Sequence, residues 1–406
     1  MDTFPIELVE AIISVATPEA LAQIRALNKA FCALATPYLF QRVHVTNTMK
    51  SVESFELISR SPKLVQHIEG VAFRHCDVDE NGDFLHDRYR VHRGSIILLD
   101  SEEEEPFLER RHIASLDSIQ DVLTMSFSRL DRFPVLKSVS LTFYPCFSKD
   151  VFHPSSYRLY KPTQLQWRLI PAIPELPHLK SLTIRNLIPV ERQALYGFRN
   201  TFKSLESLRI TVLGGLGDTD YVYDRYYGMF WQFTMSSVLN SPLPFSATLT
   251  SFTLHSGTDV GAHTPVNFSD LNLSALKSIS LKRILFNEDT GVEDFIIRHQ
   301  STLKALHLVE CRITVDGAIQ EPSRRWSWIW TRFAEKLQTL TALDVQPERD
   351  DEDTTLERSS YVRLIEGTGY LYDALKEPVQ GEEDDRQALE TFAKLVRSRR
   401  HGIMNA

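Results

Sequence analysis

Residues able to do chemistry are plentiful in this chain, but their spacing does not assemble a reactive site. None of the thirteen histidines forms a His-Glu-x-x-His or a helical His-x-x-x-His pair, the arrangements that place two imidazoles on one helix face around a metal. The four cysteines, Cys32, Cys76, Cys146 and Cys311, make no Cys-x-x-Cys pair, so neither a zinc ribbon nor a redox dithiol is encoded. Asp77-Val-Asp79-Glu-Asn81-Gly82-Asp83 copies the first half of a calcium-binding loop. Its twelfth position, where a bidentate glutamate belongs, is Arg88. Gly214-Gly-Leu-Gly217 follows an apolar run, yet no third glycine opens a helix and no Gly-Lys-Ser or Gly-Lys-Thr follows. A flexible turn is expected there rather than a phosphate cradle. There is no Gly-x-Ser-x-Gly elbow, and a triad built from distant residues would leave no mark in the sequence. Carboxylates crowd into acidic runs, where they are solvated rather than poised for proton transfer. The expectation is a protein that is not an enzyme and that carries no metal and no cofactor.

Charge narrows the partners. Lys and Arg number 45 against 53 Asp and Glu, a formal net charge of −8. A general nucleic-acid binder needs a cationic surface to displace counterions, so no nucleic acid is expected. The acidity is local. Residues 347–390 hold 14 acidic and 5 basic side chains, and the remainder of the chain is close to neutral. This stretch and a second acidic run, Asp100 to Glu105, read as solvated segments. The opening residues lack the basic and apolar regions of a signal peptide. The stretch Gly228 to Thr258, which is free of Asp, Glu, Lys and Arg, is broken by Pro242 and Pro244, so no membrane partner is expected. The scarcity of cysteine predicts an intracellular protein, cytoplasmic and/or nuclear.

Function must then come from surfaces, and the chain builds one by repetition. One phrase recurs: apolar, two variable residues, apolar, one variable, apolar. It reads Leu136-Lys-Ser-Val139-Ser-Leu141, Leu179-Lys-Ser-Leu182-Thr-Ile184, Leu205-Glu-Ser-Leu208-Arg-Ile210 and Leu249-Thr-Ser-Phe252-Thr-Leu254. It continues as Leu276-Lys-Ser-Ile279-Ser-Leu281, Leu303-Lys-Ala-Leu306-His-Leu308 and Leu340-Thr-Ala-Leu343-Asp-Val345, with a weaker early copy at Ile68-Glu-Gly-Val71-Ala-Phe73. Alternation within the phrase is strand-like. Between strands, Trp326, Ile329, Trp330, Phe333 and Leu337 follow helical spacing, as do Val292, Phe295, Ile296 and His299. A strand and a helix per repeat, stacked side by side, predict a parallel sheet.

Strand alternation sends the variable residues to the face opposite the core. Candidate contacts with an unknown protein substrate are therefore Thr183, Arg185, Arg209, Thr211, Thr253, His255, Ser280, Lys282, His307 and Asp344. Arg185, Arg209, Lys282 and Arg283 could also meet an anionic ligand. An insertion after Val212 carries Tyr221, Tyr223, Tyr226, Tyr227, Phe230, Trp231 and Phe233, read as a helix packed on the sheet's flank.

The first forty residues follow another pattern. A helix opens at Phe4-Pro5, with Leu8, Val9, Ile12, Ile13 and Ala16 on one face. Thr17 can cap a second helix with the stripe Leu21, Ile24 and Leu27. Asn28 can cap a third, carrying Phe31, Leu34 and Ala35, which Thr36-Pro37 should stop. Three such helices bury too little to be stable alone and must dock on something.

Phe4-Pro-x-Glu-Leu-x-x-x-Ile12, Ala20-Leu21 and Ile24-Arg-x-Leu27-x-Lys29-x-Phe31 together resemble an F-box, whose family form opens Leu-Pro-x-Glu-Leu. Phe4 replaces the leucine, and the apolar-Pro pair between helices is reduced to Thr17-Pro18. With the degenerate repeats, the chain is similar to the F-box/leucine-rich-repeat proteins of filamentous fungi. The resemblance implies an α/β fold. A three-helix F-box would occupy residues 1–45 and an irregular leucine-rich-repeat solenoid with a parallel sheet 46–346. An acidic segment and capping helix, its stripe within Gln387–Arg400, would fill 347–406. It implies docking of a Skp-family adaptor and cullin ligase core through Pro5, Leu8, Ile12, Leu21, Leu27 and Phe31. The function implied is that of a substrate-recognition subunit of an SCF-type ubiquitin ligase. The alternative is a non-ligase interaction scaffold whose F-box-like helices only close the end of the repeats.

Overall fold

A computed structural model describes residues 5–76, 118–143, 161–189, 204–214, 228–239, 246–261, 266–315, 324–347, 360–364, 372–375 and 379–404. Phe4, the calcium-loop look-alike, the Asp100 run and Tyr221–Tyr227 lie outside these residues. The chain divides into two compact units, Met1–Tyr144 with Gln164–Thr183, and Pro145–Thr163 with Ile184–Ala406.

The first unit opens with α1 (Ile6–Ser14), α2 (Pro18–Leu27) and α3 (Lys29–Phe40). Both expected caps form: Thr17 Oγ1 accepts from the Ala20 amide at 3.3 Å, and Asn28 Oδ1 from the Phe31 amide at 3.0 Å. Contrary to the sequence expectation, α3 runs through Pro37 to Phe40. Local bonds offset the missing amide. Thr36 donates its hydroxyl to the Cys32 carbonyl at 2.6 Å, and Arg25 donates to Thr36 while stacking over the Phe40 ring.

The strands β1 (Arg42–Thr46), β2 (Gly70–Arg74) and β3 (Ser138–Thr142) pair in parallel, aligning Val43, Val71 and Val139, then Val45, Phe73 and Leu141. These inward residues are buried. Between β1 and β2, α4 (Met49–Arg60) buries Phe55 against Phe127, 5.6 Å between ring centres, and Phe73 meets Phe127 edge-on at 6.3 Å. β1 is a repeat copy that the phrase search passes over, because its first apolar position, Phe40, also ends α3.

In the second unit, β5 (Ser207–Val212), β6 (Ser251–Val260), β7 (Ser278–Ile284), β8 (Ala305–Val309) and β10 (Ala342–Gln346) bear the remaining phrases. Each pairs in parallel with the next, aligning Leu208, Phe252, Ile279, Leu306 and Leu343. The division between units falls inside β4 (Ser181–Leu187). The strands form one nine-stranded sheet in the order β1-β2-β3-β4-β5-β6-β7-β8-β10. The protein is therefore mixed α/β with a large parallel sheet.

The phrase has a backbone meaning. Its second residue offers a carbonyl that accepts from two successive amides of the next strand. Glu69 O takes Lys137 and Ser138, Glu206 O takes Thr250 and Ser251, Thr250 O takes Lys277 and Ser278, and Lys277 O takes Lys304 and Ala305. The position two residues after the last apolar one turns left-handed in three strands: Asn186 at φ 59°, Arg283 at 53° and Glu310 at 51°. Asparagine tolerates this region, whereas arginine and glutamate pay about 1–2 kcal/mol for it. Gly214 proves to serve a close approach between neighbouring backbones rather than a free turn: a Cβ on Gly257 would lie 2.0 Å from its nitrogen.

The acidic C-terminal region is more structured than its charge suggests. It holds β11 (Tyr361–Leu364) and β12 (Tyr372–Ala374), which join β9 (Ile313–Thr314) in a second sheet of order β12-β11-β9. The final helix runs Glu382–Met404, longer than expected, and lies along the Trp326–Lys336 helix. Trp326 stacks on Trp330 at 4.8 Å, and Trp330 on Phe392 at 6.2 Å. Asp385 accepts from the Ser327 amide at one end of the Trp helix; Arg399 donates to the Leu337 and Ala334 carbonyls at the other.

Candidate functional site

Two surfaces carry the residues expected to meet partners. The first is the N-terminal helical module of the first unit. Its own core is Ile13, Leu21 and Ala35, with Val9, Ala16, Ile24, Phe31, Leu34 and Leu39 packed around them. The single face expected for α1 splits in two. Val9, Ile13 and Ala16 turn inward, while Leu8 is 52% exposed, Ile12 58% and Val15 82%. These three follow i, i+4, i+7 spacing and form one stripe. Pro5 is also exposed, and so is Leu27 on α2, at 64%. Of the six expected docking residues, Pro5, Leu8, Ile12 and Leu27 are therefore available to a partner. Leu21 is not, being 5% exposed within the module, and Phe31 is half-buried against it. Both belong to the stripe that joins the helices. Ile6 and Val15 were not singled out, because in sequence they are merely two further apolar residues at the ends of the helix.

The second surface is the outward face of the strands in the second unit. Register places Arg209, Thr253, Ser280, His307 and Asp344 in one row, and Thr211, His255, Lys282, Val309 and Gln346 in the next. Arg185 of β4 lies beside the second row, where the Asn186 amide donates to Thr211 Oγ1 at 3.0 Å; Thr183 falls in the first unit, half-buried. Thr253 departs from expectation, being buried at 7%. Thr211 and Ser280 spend their hydroxyls inside the sheet, Ser280 within 2.9 Å of His255 Nε2. Glu310 gathers two cations, Lys282 at 2.8 Å and Arg283 at 2.5 Å, and Arg283 also donates to the Gly257 carbonyl. Burial opposes ionisation of Glu310, but the bonds from Lys282 and Arg283 outweigh it and hold its pKa below the usual range. His307 and Asp344 stand 3.5 Å apart.

His255 is held at a pKa of about 4, first by burial, then by the neighbouring charges of Arg209 and Lys282. His299 is shifted the same way by burial. Its Nδ1 must carry the proton, because it faces the Phe295 carbonyl at 2.7 Å, while Nε2 accepts from the Leu273 amide at 3.0 Å. Both rings are neutral in the fold. The stabilising effect of neutral His255 is complete above the unfolded value near 6.5 and is lost as pH falls from there toward 4, and that of His299 is lost in the same direction. For half-buried His255, with screening allowed for, the loss is about 1–2 kcal/mol. Denaturant titrations at pH 7, 6 and 5 should show stability falling, with a shallower fall for His255→Gln. An equal slope in the two proteins would contradict the assignment.

Phe230 and Trp231 of the aromatic insertion are fully buried, as expected of a packing helix, although Phe233 is 47% exposed. Among the described residues, no cluster of His, Cys, Asp and Glu could hold a metal ion, and no helix is long and apolar enough to cross a membrane. No protein-family model matches the chain, and no curated protein matches it.

Proposed function

We propose that this chain is the substrate-recognition subunit of an SCF-type cullin-RING ubiquitin ligase, with an F-box docking a Skp-family adaptor and leucine-rich repeats binding a protein substrate. The observation that carries the reading is the stripe of Leu8, Ile12 and Val15, with Pro5 and Leu27 also exposed, on a module whose core is complete without them. Apolar helix faces left open in this way suit helix-in-groove or helix-on-helix docking. The chain would perform no reaction. It would raise the local concentration of a substrate beside the charged ubiquitin carrier. The inward burial of Leu21 and Phe31 favours the second reading, a non-ligase scaffold in which the helices close the end of the repeats. Affinity purification of the tagged chain separates the two. Recovery of the adaptor and cullin supports the ligase subunit; recovery of neither, with proteasomal turnover blocked, leaves the scaffold.

A further inference from the structure

The outward positions of β4 to β7 carry cations that the fold pairs only in part. Arg185 on β4, Arg209 on β5 and Lys282 on β7 are cationic, and Thr211, Thr253, His255 and Ser280 between them are uncharged or held neutral. No carboxylate stands at any of these positions. Among the described residues, no Asp or Glu lies within ion-pair distance of Arg185 or Arg209. Glu310, which directly follows β8, is shared between Lys282 and Arg283. The run ends at β10, where Asp344 faces His307.

We propose that this patch binds an extended acidic segment of the protein substrate, its carboxylates seated over Arg185, Arg209 and Lys282. The proposal rests on the reading of the chain as a substrate-recognition subunit and names the chemistry of what is recognised. Charge complementarity is the first argument: three cations on one face, two of them with no acidic partner among the described residues, attract an anion and repel a basic segment. Geometry is the second. Three strand spacings from β4 to β7 cover about 14 Å, and four residues of extended chain cover about 13 Å. Carboxylates at i, i+2 and i+4 of one extended segment share a face and span the distance between the outermost cations. His255, on β6, lies under that span between Arg209 and Lys282. An anion above it would offset the repulsion from Arg209 and Lys282 that now suppresses its protonation.

The test uses the full chain and a fluorescein-labelled Gly-Asp-Gly-Asp-Gly-Asp-Gly peptide, followed by anisotropy, beside versions with Asn or Lys in place of Asp. The acidic peptide should bind about tenfold or more tightly than the Asn version, and the Lys version not at all. Arg209→Ala and Arg185→Ala should each weaken it by about three- to tenfold, with an unchanged circular dichroism melt. The His255 ring resonance should titrate at higher pH with the acidic peptide bound. Equal affinity for the Asp and Asn peptides, or affinity unmoved in both arginine variants, overturns the proposal. Adaptor binding is measured on the same preparation. Lost peptide preference with intact adaptor binding removes the acidic-segment proposal alone, whereas peptide binding without adaptor binding removes the ligase reading and retains the patch.

Discussion

Replacing Asp385 with alanine is expected to lower the unfolding free energy by about 3 kcal/mol, the sum of a lost helix cap and a lost buried bond to a charged group. The carboxylate is 7% exposed. It accepts from the Ser327 amide at 2.6 Å and from the Tyr361 hydroxyl at 2.6 Å. The Trp326–Lys336 helix has no cap from its own N-cap residue, Arg325, so Asp385 supplies one from the final helix. Tyr361 has no exposure and also accepts from the Trp326 amide at 3.2 Å. Burial, reinforced by the bond to Asp385, raises its pKa, so the Tyr361 hydroxyl keeps its proton near neutrality. Tyr361→Phe, which keeps the ring, should cost about 1–2 kcal/mol. The double variant should lose less than the sum, because the residues share one bond. Chemical denaturation of the four proteins measures this, and additivity would show that the bond is not made. Gly381 precedes the final helix at φ +86°, a left-handed conformation that a residue with a Cβ adopts only under strain.

The larger effect is expected in binding. Leu8→Asp should weaken association with a Skp-family adaptor by about a hundredfold or more, since it removes a leucine that the complex would bury and would leave a desolvated carboxylate in its place. Ile12→Asp should act alike. Both side chains are more than half exposed, so the melting temperature should hold within about 2 °C. Leu21→Asp is a poor probe, because its loss of binding would follow from unfolding of the Ile13, Leu21 and Ala35 core. A Leu8→Asp protein that stays folded and binds the adaptor as well as the parent would assign these residues to the surface and nothing more.

The strands were legible because each phrase carries two signals at once, an apolar alternation and a fixed register. Leu208, Phe252, Ile279 and Leu306 align as their spacing implies. The caps at Thr17 and Asn28 were legible because side-chain capping is local. What escaped was set by partners distant in sequence. Apolar spacing on a nine-residue helix cannot tell the face of Val9 and Ile13 from that of Leu8 and Ile12; α2 and α3 decide it. The second sheet escaped because Tyr361 and Val362 are two buried residues in an acidic stretch, ordered by pairing with Ile313 and Thr314. Pro37 was read as a stop, but Thr36 and Arg25 carry the helix past it.

The central claim is adaptor docking, and the direct measurement is calorimetric titration of the purified full chain with a purified Skp-family adaptor. A one-to-one complex is expected, with a dissociation constant of about 1 μM or tighter and a negative heat-capacity change from burial of Leu8, Ile12 and Leu27. Absence of binding up to about 100 μM adaptor, with the chain folded, would contradict it.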